Sequence, residues 1–288
     1  MNVVRKHLSA ILGSNLARVA ITRGARVEAL LISDVTGDSP ADIASGPCAA
    51  DYSTYLDALN ILQKYDLDTS AIPASVLSHL KQGLAGGIPE TLKDSDLVNG
   101  QVTNHVIATA YKRLEAAAEY VRTQGYESII LGDTITGEAQ EVGIEQAVLA
   151  REYMTKGIDK PLALISGGGC TVTIPAGVKG RSRRCSEYLL SLFAASSDMS
   201  NVAALAADTD GIDGSEKNAG AWFDSNTRQT SANSGLMPEK FLLAHDCYEF
   251  FAELGALVET GPTHYKCERL PHHLAKKIIC SIAQLKFN

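Results

Sequence analysis

Short apolar runs alternate along this chain with longer stretches in which apolar residues recur every three or four positions. Residues 27–33 form an apolar run followed by Asp and Gly, the pattern of a buried strand. Asp51 to Thr54 then open a helix, with Tyr55, Ala58, Leu59 and Leu62 on one stripe. The pattern predicts a second helix at 74–82 and a loop over 83–100. A new block follows, with a strand at 103–109, a helix at 110–124 stopped by Gly125 and a strand at 128–131. A long helix is predicted over 137–155 and an apolar strand over 162–166. After a glycine cluster, 171–174 alternates like a half-exposed strand. Helix 186–195, strand 202–207 and helix 238–254 complete the reading. Strand–helix alternation of this kind predicts an α/β fold, two Rossmann-like domains with largely parallel sheets. The expected boundary lies near residue 100, giving domains 1–100 and 101–288.

Composition narrows the classes. With 288 residues, two domains are the natural expectation. The formal net charge of -7 argues against a nucleic-acid binder, which needs clustered Lys and Arg. No apolar run is long enough for a membrane span, and no signal-peptide core follows the first charges. The six cysteines form no C-x-x-C pair, so a reduced, cytoplasmic setting is expected. Charge is uneven. Residues 265–288 sum to +4, and the remainder to -11.

Three segments share one form, an apolar strand followed by small polar residues, where open α/β sheets bind ligands. The first is Ser33, Asp34, Val35, Thr36, Gly37 and Asp38, followed by Ile43 to Pro47. It reads as a ligand loop or as a turn. The second is Ser166, Gly167, Gly168 and Gly169. Such glycines let amides approach a phosphate, or simply turn the chain. They match neither the P-loop nor the dinucleotide fingerprint. The third is Asp208, Thr209, Asp210, Gly211, Ile212, Asp213 and Gly214. Hard oxygen ligands on a loop suit Mg²⁺, and Asp-capped turns are the alternative. A basic run, Lys179 to Arg184, lies between the second and third and offers either a phosphoryl-stabilising arginine or a solvated loop. Arg5, Lys6 and His7 form another basic group.

In this order the segments resemble the type-2 glycerate 2-kinases, whose C-terminal part is the MOFRL domain. Bacterial members also carry the label hydroxypyruvate reductase, including some in tartrate degradation. The matching pieces are residues 4–9, 33–38, 43–47, 166–168, 171–173, 209–214 and 260–263. The resemblance implies ATP-dependent phosphorylation of the 2-hydroxyl of D-glycerate, with Mg²⁺ and ATP as cofactors and a small hydroxy acid as substrate. It implies Arg184 as the catalytic arginine. Ser166, Gly167, Gly168, Thr209 and Asp210 would hold nucleotide and phosphate, and Asp208 and Asp210 metal. Arg5 and Lys6 would hold the substrate carboxylate. The alternatives are a reductase using NAD(P)H and an inactive remnant.

Three departures accompany the resemblance. The family has a substantial segment before its V-R-K-H-L-S motif, so a truncated N-terminal domain is expected. The family's G-R-G-G-R reads Gly180, Arg181, Ser182, Arg183, Arg184 here. Back-translation from Tyr265, shifted by one nucleotide, encodes the family's T-N-V-N-D-F-R. A frame change beside the His264 codon is therefore expected, which resequencing checks.

Overall fold

The computed structural model describes residues 2–33, 35, 37–65, 72–97, 100–156, 160–175, 177, 178 and 180–262, and the backbone of 278–284. Asp34, Thr36, Lys179 and the 263–277 part of the tail lie outside the described residues, as does the expected frame change. Two compact units divide between Thr109 and Ala110.

The first unit contains helices α1 (Asn2–Leu8), α2 (Asn15–Thr22), α3 (Tyr55–Lys64) and α4 (Ala74–Leu84). Its strands β1 (Val27–Ile32) and β2 (Val102–Ala108) pair in parallel, Leu30 opposite His105. This pairing carries β2 into the first unit and moves the expected division near residue 100 to a point after that strand. A capping box opens α3, because Thr54 accepts the Asp57 amide and Asp57 accepts the Thr54 amide. Tyr55, Ala58 and Leu80 form a small core with Val3, Val4 and Leu59 around them.

The second unit carries α5 (Ala110–Thr123), β3 (Glu127–Glu138), α6 (Ala139–Thr155), β4 (Leu162–Thr171), α7 (Arg184–Ala195) and β5 (Val202–Asp208). It continues with β6 (Gly220–Phe223), α8 (Ser225–Asn233), α9 (Pro238–Leu243), α10 (Cys247–Glu253), β7 (Leu257–Val258) and β8 (Ile278–Gln284). The sheet order is β3-β4-β8-β5-β6-β7. The first four strands run parallel, and β6 alone is reversed, pairing antiparallel with β5 and with β7. The α/β class expected from alternation is what the chain builds.

Strand β4 is buried on both faces, as central parallel strands are. Leu162 and Leu164 point into a core with α6, α7 and α10, while Ala163 and Ile165 pack on α5. Helix α7 is buried from Cys185 to Phe193, without an exposed stripe. Each fully buried leucine on it contributes roughly 1.5–3 kcal/mol, so its first turn is held firmly.

The glycine cluster departs from expectation. Ser166, Gly167 and Gly168 do not form a loop beyond a strand; they continue β4 itself. Ser166 pairs with Gly132 and Ile282, and Gly168 with Ile135 and Gln284. A Cβ on Gly168 would stand 1.9 Å from the Ile135 carbonyl oxygen, so glycine here admits the irregular middle of β3. Helix 238–254 is two helices, α9 and α10, broken where His245 takes φ 49°.

Candidate functional site

The carboxyl ends of β3, β4 and β5 place Glu138, Thr171 and Asp208 at the same end of the parallel sheet, and α7 begins there with Arg184. The loop after β5 is shaped by its own aspartates. Asp210 donates its amide to Asp208 Oδ1 at 3.4 Å, and Asp210 Oδ1 accepts the Ile212 amide at 3.0 Å. Gly211 has φ 88°, and a side chain there would meet the Gly261 carbonyl oxygen at 2.1 Å. The turn needs glycine on both counts.

Asp213 faces inward and caps α7. Its oxygens accept the Cys185 amide at 3.2 Å and the Ser186 amide at 3.1 Å. Its burial nevertheless raises its carboxyl above the usual aspartate range, outweighing these amides. The fold thus favours the protonated form, and its stability declines as pH rises from the usual aspartate value through the elevated one. Asp213→Asn is expected to flatten that decline in urea titrations between pH 4 and 8. Asp213→Ala should remove about 2 kcal/mol by uncapping the helix.

Arg184 Nη2 lies 3.9 Å from Asp208 Oδ2, with the arginine side chain 24% exposed and the aspartate 1%. The structure therefore brings Arg184, Asp208, Thr209 and Asp210 into one place. Asp208 and Asp210 give two carboxylates on one short loop. That suits Mg²⁺, which takes one or two carboxylates and completes its shell with waters and substrate phosphates. Among the described residues no group of three or more His, Cys, Asp or Glu is gathered as a metal cage.

The other expected site residues fall elsewhere. The backbones of Ser166 and Gly168 are paired on both sides within the sheet, so the residues expected to cradle phosphate lie in a central strand and not in a loop beyond it. In the first unit, Lys6 is 4% exposed and donates to Asp51 at 3.1 Å and Asp42 at 3.4 Å. Its charge is answered by these two carboxylates within the first unit. Arg5 on the same helix is exposed. Arg181 is held by Glu249 and Asp246 and lies over the Tyr248 ring. Ser182, where the family has glycine, accepts the Cys247 amide at 3.0 Å and so fixes the start of α10. Arg183 donates to Ser215 at 2.6 Å.

Beside Arg184 stands a network that the sequence did not announce. Glu138 accepts hydrogen bonds from the Thr171 hydroxyl at 2.6 Å and the Thr173 hydroxyl at 2.8 Å, which hold its carboxyl below the usual glutamate range. Buried Glu187, also in the first turn of α7, accepts from Gln140 at 2.7 Å and pairs with His245 at 2.9 Å. The Thr171–Thr173 alternation was the available signal, because it brings both hydroxyls to one side of the chain. Cys185 is no nucleophile: burial and then Asp213 push its thiol well above the usual cysteine range.

Comparison with known proteins now bears on this site. The sequence profile of the MOFRL family matches residues 162–268, and that of a domain of unknown function, DUF4147, matches residues 1–81. A glycerate 2-kinase of Pyrococcus horikoshii is 37% identical over 91% of this chain and 58% of its own length. Over residues 162–268 the chain is similar to the MOFRL family. Another relative, named a putative hydroxypyruvate reductase, from Agrobacterium vitis, is 42% identical over 91% of the chain and 58% of its own length. The solved structure of a Thermotoga maritima glycerate kinase superposes with a TM-score of 0.72 at 33% identity, covering 91% of this chain and 59% of that one. The chain therefore spans less than two thirds of the length of these relatives. The MOFRL match takes in the whole Arg184–Asp210 site.

Proposed function

We propose that this chain carries the magnesium–nucleotide side of a glycerate 2-kinase, transferring the γ-phosphoryl group of ATP to the 2-hydroxyl of D-glycerate. The observation that carries the reading is Arg184 set 3.9 Å from Asp208, with Asp210 in the same loop, at the carboxyl end of a parallel sheet. Phosphoryl transfer needs little covalent chemistry from protein, but it needs positioned cations around the moving group.

Each part has a task. Asp208 and Asp210 would hold Mg²⁺, which when bound neutralises phosphate charge and orients it. Arg184 would lie along the equatorial oxygens as charge spreads there. Asp213, by capping α7, keeps that guanidinium in place. Thr209 would donate its hydroxyl to the nucleotide.

A second reading, a hydroxypyruvate reductase using NAD(P)H, is favoured by the name of the Agrobacterium vitis relatives. The run Gly167 to Gly169 lies inside β4 and opens no helix, so it offers no dinucleotide turn. Calorimetry with Mg·ATP on the 288-residue chain is the direct test. Binding that weakens at least tenfold in Asp210→Asn is expected, with ADP rather than NAD(P)⁺ formed when D-glycerate and hydroxypyruvate are offered in parallel coupled assays. NADH binding without Mg·ATP binding would replace this reading with the reductase.

A further inference from the structure

The segment that leads into Arg184 is fastened to the junction between α9 and α10. Ser182 donates its amide to the His245 carbonyl at 2.7 Å, and the Ser182 hydroxyl accepts the Cys247 amide at 3.0 Å. One position earlier, Arg181 donates its amide to Asp246 Oδ1 at 3.1 Å. A side chain on Gly180 would run into the carbonyl oxygens of Ala244 and His245, so the segment passes directly over the junction backbone. These contacts set where residues 180–182 lie, and Arg184 follows as the first residue of α7.

His245 ties the same junction to α7. It stands just past the end of α9 in the left-handed region, φ 49°, where glycine or asparagine ordinarily ends a helix. A histidine there is held against its own backbone preference, so its ring must be fixed by a partner. That partner is Glu187, in the first turn of α7, with Oε1 2.9 Å from His245 Nδ1. The histidine side chain is 13% exposed and the glutamate 3%. An ionised carboxylate only accepts, so Nδ1 carries a proton and donates whether the ring is neutral or charged. Glu187 is itself oriented from the start of α6, where Gln140 donates to Oε1 at 2.7 Å.

We propose that His245 is a positioning residue for Arg184: clasped by Glu187, its ring locks the α9–α10 junction to the first turn of α7, and the junction holds the chain that enters the arginine. The ring acts through the backbone and touches no reacting group. Arg181→Ala keeps the amide that Asp246 holds, so it leaves this lock in place. The importance of the lock for turnover rests on the reading of Arg184 as the arginine that stabilises the moving phosphoryl group.

The test compares two substitutions on the 288-residue chain. His245→Gly suits the left-handed backbone and removes the ring; His245→Asn suits it as well and sets an amide nitrogen where Nδ1 stood. Amide exchange at Arg181 and Ser182 should quicken at least tenfold in His245→Gly and return to within threefold of the parent in His245→Asn. The Arg184 Nε–H resonance, assigned by its loss in Arg184→Ala, should shift in His245→Gly and recover in His245→Asn. The urea midpoint read through Trp222 should hold in both. In ADP formation with D-glycerate, His245→Gly should lower kcat at least tenfold with KM within twofold. It should change kcat less than twofold once Arg184 is already alanine, because no guanidinium is left to misplace. An unchanged Arg184 resonance in His245→Gly would overturn the proposal. So would equal losses in the two variants, or a urea midpoint that falls in step with the exchange, either of which makes His245 a helix end and nothing more. A parent chain that forms no ADP while the exchange and resonance results hold refutes the kinase reading and leaves the positioning of Arg184 standing.

Discussion

Arg184→Ala is expected to lower D-glycerate-dependent ADP formation by about 10³- to 10⁵-fold, the range in which charge-stabilising arginines act on phosphoryl transfer. The measurement reads kcat and KM separately. The loss should fall on kcat, since the guanidinium is most needed when charge moves onto the equatorial oxygens. Arg184→Lys should recover only part of it, because an ammonium lacks the planar fork that meets two oxygens together. Arg181→Ala supplies the contrast. That guanidinium is committed to Glu249, Asp246 and the Tyr248 ring, so its loss should move stability and leave kcat within a few-fold. If Arg184→Ala keeps more than a tenth of the activity, the guanidinium is not at the reacting group and the proposed mechanism fails.

The second large effect concerns stability. Gly168→Val should destabilise the second unit by about 3 kcal/mol or more, beyond the usual range for overpacking. The obstacle is backbone, with the Ile135 carbonyl oxygen 1.9 Å from a new Cβ and its amide nitrogen at 2.7 Å. Neither can swing aside as a side chain would, since both sit where β3 pairs with β4. Urea unfolding followed by tryptophan fluorescence reads this through Trp222, which packs against the same core. A Gly168 that served phosphate instead would show the reverse. Nucleotide affinity would fall while the midpoint held.

Much of the fold was legible because hydrophobic period and burial agree. The runs at 27–33, 103–109, 162–166 and 202–207 all lie in parallel strands, and their intervening helices formed. The parts that were not legible have local causes. Strand β6 has only four residues, and α8 is polar throughout, burying just Thr227 and Ser231. Its signal was the Asp224–Thr227 capping box rather than any apolar stripe. Glycine carried two meanings in this chain. In Gly211 it marks a turn, and in Gly168 close strand approach, which only the neighbouring strand reveals.

The site divides the same way. Asp208 and Asp210 were readable as carboxylates after an apolar strand, which serve either as ligands or as the amide acceptors that shape this loop. Asp213 was readable as an acid but not as the cap of α7, since its donors lie 27 and 28 positions earlier in the chain. Lys6 looked like a free cation in sequence. Asp42 and Asp51, 36 and 45 residues away, absorb it.

One consequence follows from the sheet order. Strands β4 and β5 are separated by β8, which comes after both of them in the chain. A ribosome making this chain therefore exposes two apolar strands long before their shared neighbour emerges. Until residue 284 clears the exit tunnel, both edges stay open to foreign pairing. Translation speed over the last stretch, and early engagement by chaperones, should govern soluble yield more than final stability does.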